Sequence, residues 1–226
     1  MSSADNLLQT FSEHPLGLCG MHDPAKAVDV IPDIEPRLSA LTLGTVLDIN
    51  PITRQRWERI TELAGHWLLN PSIVAYKSSH EVQHAMLHEQ LSGPAHIARV
   101  WWQLCRAAQG RFYGNWGGLF TACEFQAQRV QEYLLKSKTT FPVLAGPVIS
   151  ARWLDLVHRR GKISLLDWEN IRIEIPSNLK TPAQQFEISE NTVHPFLFSA
   201  LKTWVSSCKQ MSEKECGLVG CPRLAK

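Results

Sequence analysis

Residues 41–49, LTLGTVLDI, hold the choice between a strand-led and a helix-led fold. The β-branched Thr42, Thr45 and Val46 and the partial alternation read as a first strand, although Gly44 interrupts it. Before this stretch, residues 3–14 suit a short helix, and Pro15, Pro24, Pro32 and Pro36 make 15–37 an irregular connector. Beyond it, from Thr53, the apolar spacing turns helical and stays so for most of a hundred residues. Breaks at Asn70-Pro71, at Gly93-Pro94 and across GRFYGNWGG (110–118) divide this region into helices over 53–69, 72–91, 95–109 and 119–137. A fifth helix covers 148–160, ended by Gly161. ISLLDWENIRIEIP (163–176) then reads as strand-forming, with QQFEIS (184–189) as its partner across the loop from Pro176 to Pro182. The last helix runs over 195–211.

The expected architecture is therefore mainly α with a small β component (α+β). A helical central region is followed by a short hairpin or small sheet and a C-terminal helix. The expected segments are 1–37 (helix and proline-rich connector), 38–140 (helical core), 141–212 (α/β part) and 213–226 (tail).

The chain has 226 residues, 44% of them hydrophobic, enough to bury a real core. Charged residues at 19% are too few for a disordered chain, and a net charge of +2 names no partner by itself. MSSADNLLQTFSEH lacks the basic start and apolar run of a secretory signal, and no segment matches a bilayer span. The expectation is a cytoplasmic protein without membrane contact, whose six cysteines are reduced thiols.

Chemistry first shows in KSSHEVQHAMLHEQ (77–90), where His80-Glu81-Val82-Gln83-His84 has the form H-E-x-x-H. On a helix, residues four apart share a face, so His80 and His84 can direct ring nitrogens at one ion. Glu81 is rotated about 100° from His80 and would reach the ion's open side, where a base takes a proton from metal-bound water. His88 lies about 12 Å along the axis from His80 and cannot complete that site. A third ligand must come from Glu124, His96 or His158, with Glu124 the first choice because His₂Glu leaves one position for water. Tyr113 or His158 would serve a developing oxyanion. The same pentapeptide also reads as a structural or surface histidine helix with no ion.

HEVQHAMLHEQ followed by CEFQAQRV resembles the zincin metallopeptidases, and within them the ImmA/IrrE-type proteins. That resemblance implies a zinc-dependent, peptidase-like hydrolase acting on a peptide or protein substrate. His80, His84 and Glu124 would be its ligands and Glu81 its base.

A competing signal follows directly. HIARVWWQLCRAAQGRFYGNWGG (96–118) sets Arg99, Arg106 and Arg111 among Trp101, Trp102, Phe112, Tyr113 and Trp116. Cations hold phosphates while flat rings stack on unpaired bases, a mixture suited to single-stranded nucleic acid. Arg152, Arg159, Arg160 and Lys162, with His158, would extend the track. Trp101 and Trp102 cannot face the same way on one helix, so at least one belongs to the core. This reading describes a non-enzymatic nucleic-acid-binding subunit of a larger nucleoprotein complex, of mobile-element, defence or ribonucleoprotein type, with partner subunits.

HRRGKISLLDWENIRIEIPSNLKT is similar to the start of a tyrosine-recombinase catalytic domain, but no H-x-x-R follows: His194 precedes Pro-Phe-Leu, and the last tyrosine is Tyr133. Recombinase chemistry is therefore not expected. Cys19-Gly20-Met21-His22 has knuckle-like spacing, yet Cys208, Cys216 and Cys221 do not form a zinc pattern with it. Cys105 and Cys123 read as buried and inert, and His66 as a core-edge residue.

Overall fold

A computed structural model describes residues 3–13, 23–47, 54–91 and 95–207. Among the described residues eleven α-helices follow in order: α1 (Ser3–Glu13), α2 (Ile34–Leu47), α3 (Arg54–Glu62), α4 (Pro71–Tyr76), α5 (Ser79–His88), α6 (Ala95–Phe112), α7 (Trp116–Ala122), α8 (Ala127–Lys136), α9 (Pro147–Arg160), α10 (Ser177–Gln185) and α11 (Pro195–Ser207). Two short strands, β1 (Ile173–Glu174) and β2 (Thr192–Val193), pair antiparallel with Ile173 opposite Val193. The fold is mainly α with a small β component, as the sequence leads one to expect. No helix among the described residues is long and apolar enough to cross a membrane.

The chain divides into two compact units. One comprises residues 24–170; the other joins the N-terminal segment up to Asp23 to the segment from Ile171 onward. The boundary expected after residue 37 falls inside α2.

In the larger unit α2 is the axis. Residues 41–47, expected as strand, lie within this helix, and every residue from Arg37 to Leu47 is buried. A helix that is apolar all round belongs at the centre of a core, so it lacks the one-sided stripe that betrays helical period. The segment Pro24–Val30 and helices α3, α6, α7 and α9 pack around it. Gly44 is required there: a Cβ would overlap the ring of Trp57 on α3. Beyond α2 stand stacked rings. Trp101 and Trp116 lie 6.4 Å apart, Trp116 meets Trp153 edge-on at 6.4 Å, and Phe120 stacks on Trp153 at 5.4 Å.

Three expected helices are shorter or divided, each for a local reason. The one over 53–69 ends at Glu62, and a 3-10 turn over Trp67–Leu69 follows. The one over 72–91 is two helices, because Lys77 and Ser78 adopt extended backbone and Ser78 caps α5. The one over 119–137 breaks at Glu124 and Phe125, both with φ of 56°. There α8 restarts under a cap supplied from forty residues away, where the Asp167 carboxylate accepts from the amides of Ala127 and Gln128. α6 instead runs past Gly110 to Phe112.

In the smaller unit α1 and α10 pack on α11. Phe11 meets Phe196 at 5.5 Å and Phe186 meets Trp204 edge-on at 5.0 Å. β1 pairs with Thr192–Val193 and not with 184–189, because 177–185, expected in part as loop, form α10 and carry Gln184 and Gln185 into a helix.

Candidate nucleic-acid interface

The H-E-x-x-H segment lies at the start of α5 rather than in the middle of a longer helix. Ser78-Ser79-His80-Glu81 is a capping box: the Glu81 amide donates to Ser78 Oγ (3.2 Å) and the Ser78 amide donates to Glu81 Oε2 (2.9 Å). Lys77 Nζ donates to the other oxygen at 3.1 Å. These bonds, the Ser78 amide foremost, lower the Glu81 pKa to about 2. A carboxylate so held is a weak proton acceptor and is turned toward its own helix start.

His80 and His84 are both exposed on α5, while Val82 and Met86 face inward. Glu124 is not on a helix: it lies in the turn between α7 and α8, exposed, and pairs with Arg129 at 2.7 Å. Among the described residues, no group of three or more His, Cys, Asp or Glu side chains is arranged to hold a metal ion. The two histidines share a face, and Glu124 does not join them. His96 is exposed at the start of α6. His158 stacks on Trp168 at 4.4 Å and its Nδ1 accepts from the Leu165 amide, with burial lowering its pKa.

The cap makes a pH prediction. A carboxyl whose pKa falls on folding, here from 4.5 to about 2, contributes stability above pH 4.5 and loses it as pH falls through 2. Amide-exchange protection of α5 should therefore weaken between those values, and Glu81→Gln should flatten that dependence. Equal pH dependence in parent and variant would refute the cap. Ser78→Ala should cost about 1 kcal/mol by the same readout.

α6 offers a different surface. Ile97, Trp101, Leu104, Cys105 and Ala108 form its buried side. His96, Arg99, Gln103, Arg106 and Gly110 are exposed, and the spacing of three and four continues into exposed Tyr113 just past its end. No acidic residue occurs between Glu89 and Glu124, so no carboxylate from α6 or its flanks neutralises this side. The Arg106 guanidinium lies over the Trp102 ring, 4.8 Å from its centroid, and Trp102 Nε1 donates to the Lys77 carbonyl at 2.8 Å. One cation thus lies over a ring that is itself anchored to the residue after α4.

The remaining predicted contacts divide plainly. Arg111 is exposed but turned sideways, donating to Tyr133 Oη at 2.7 Å. Trp116, expected as a stacking ring for bases, is fully buried between Trp101 and Trp153 and is a core residue. Trp101 is core and Trp102 half-buried. The second basic run serves internal bonds. Arg159 makes a two-pronged contact with buried Asp155 (3.0 and 2.6 Å), Arg160 pairs with Asp29 (2.9 Å), and Lys162 donates to the Pro32 carbonyl (3.1 Å). Arg152 is half-buried. Cys105 and Cys123 are buried free thiols whose pKa values burial raises. Cys19, His22, Cys208, Cys216 and Cys221 lie outside the described residues.

Sequence reasoning passed over Tyr76, which is 82% exposed at the end of α4. It also passed over the run without acid from 90 to 123, which plain counting finds. The S-x-x-E pattern at 78–81 was the available sign that Glu81 caps a helix. No protein-family model, no curated protein and no solved structure matches this chain.

Proposed function

We propose that this chain is a non-enzymatic nucleic-acid-binding protein, a subunit of a larger nucleoprotein complex, that holds a strand along the exposed side of α6. The observation that carries the reading is the pairing of Arg99 and Arg106 on one exposed side of α6, which carries no acidic residue of its own, seven residues and about 10.5 Å apart along the axis. Both guanidiniums can donate to phosphate oxygens in a fork, and the Trp102 ring restricts Arg106 before the ligand arrives. A zinc hydrolase is the less supported reading, since Glu81 is engaged in its cap and Glu124 with Arg129.

Binding of a labelled 15-nucleotide strand, followed by fluorescence anisotropy, tests the proposal. Affinity should fall with salt, and Arg99→Glu with Arg106→Glu should weaken binding at least about tenfold. The double variant should also lower the slope of log K against log salt by about 1.4, since each single-strand phosphate contact contributes about 0.7. Salt-independent binding, or a double variant that binds like the parent, would overturn it. One zinc per purified chain, lost in His84→Ala, would favour the hydrolase instead.

A further inference from the structure

The chain has three tyrosines. Tyr133 is half-buried, its hydroxyl accepting from Arg111 and its ring 6.0 Å from Phe112. The other two are turned outward: Tyr76 is 82% exposed and Tyr113 is 91% exposed. They stand on two segments that touch. Gly114, with φ of 77°, packs so closely on α4 that a Cβ there would overlap the Ser72 hydroxyl. Tyr113 precedes that glycine, and Tyr76 lies one helical turn, about 6 Å, beyond Ser72.

Both residues thus stand in or beside the α4 to α6 contact. Tyr113 follows exposed Arg106 by seven residues, and Tyr76 adjoins Lys77, whose carbonyl accepts from the Trp102 ring that Arg106 lies over. Trp102 on α6 is half-buried, and Arg106 already lies over its ring. The two tyrosines leave nearly their whole ring faces to solvent. A flat ring open to solvent beside paired cations suits a nucleotide base released from its own stack, whereas the bases of a duplex present no free face.

We infer that Tyr76 and Tyr113 are the base-stacking residues of this interface and make it selective for single strands over duplex. The inference rests on the nucleic-acid reading of α6. Tyr76 supplies a contact from α4, so the bound strand leaves the axis of α6 and crosses onto its neighbour. Arginines hold phosphates and tyrosines hold bases, which separates affinity from strand selectivity.

Three labelled ligands distinguish the two ideas: a mixed-sequence 15-nucleotide strand, the same sequence as a duplex, and a 15-unit abasic strand that keeps the phosphates and lacks the bases. Tyr76→Ala with Tyr113→Ala should weaken binding of the first at least about tenfold and leave the other two unchanged. Tyr76→Phe with Tyr113→Phe should retain tight single-strand binding, since stacking needs the ring and not the hydroxyl. Circular dichroism checks that the variants are folded. If the alanine variant binds the base-bearing strand like the parent while Arg99→Glu with Arg106→Glu abolishes binding, the stacking role is wrong and the α6 reading survives. If the parent binds none of the three ligands, both fall.

Discussion

Trp153→Ala is expected to destabilise the larger unit by about 3–5 kcal/mol, a large share of the roughly 5–15 kcal/mol that holds a domain together. Trp153 is fully buried on α9, with Phe120 stacked on one side and the edge of Trp116 on another. Its Nε1 donates to Thr42 Oγ1 on α2 at 3.0 Å, tying the aromatic column to the axial helix. Alanine removes the indole from a close-packed site that cannot collapse around so large a gap. Trp153→Phe keeps a ring in place and should cost about 1–2 kcal/mol. That smaller loss follows because the Thr42 hydroxyl still donates to the Leu38 carbonyl at 2.7 Å. Urea unfolding followed by circular dichroism gives both values. An alanine variant within about 1 kcal/mol of the parent would show that this column is not the centre of the core.

Arg37→Ala should cost about 3 kcal/mol or more, through hydrogen bonds rather than volume. Arg37 is buried on α2, and its guanidinium donates to three carbonyls: Ile31 through Nε at 2.8 Å, Asp29 through Nη2 at 2.7 Å, and Arg160 through Nη1 at 3.0 Å. Nη2 also contacts the Ile31 carbonyl. These acceptors lie at the ends of the 24–30 turn and of α9, where the regular ladder leaves carbonyls unpaired. Alanine strands the buried Ile31 carbonyl and removes a partner from the part-buried Asp29 and Arg160 carbonyls. Arg37→Lys should recover only part of the loss, because one ammonium cannot span acceptors that a planar fork reaches together. Unfolding midpoints supply the magnitude, and amide exchange over residues 24–32 supplies the location. Full recovery by lysine would refute the role of the fork.

Both residues bear on how far the sequence could be read. The long helical region, the helix over 148–160 and its stop at Gly161 were legible because apolar spacing and a terminal glycine are local signals. The core placement of Trp101 was half-legible, since adjacent tryptophans on one helix must diverge. Residues 41–47 misled because burial on every side erases periodicity, and neither Arg37 nor the Trp57 ring over Gly44 is visible from local pattern. The break before α8 was hidden for a related reason, its cap being Asp167.

The candidate site was legible in the same uneven way. Arg99, Arg106 and Tyr113 were singled out by residue type, and all three are exposed. Trp116 was assigned outward by the same reasoning and lies in the core. Arg159, Arg160 and Lys162 read as a basic track until their partners Asp155, Asp29 and Pro32 come into contact. Tyr76 had no cationic neighbour pattern strong enough to mark it.

By itself the sequence determined the mainly helical class, because helical periodicity, caps and breakers act over a few residues and carry their own energies. Tertiary structure alone decided that Arg160 and Lys162 turn to Asp29 and Pro32, that Trp116 lies in the core, and that Glu124 does not join His80 and His84. Those outcomes depend on how segments tens of positions apart pack together, and no local pattern records them.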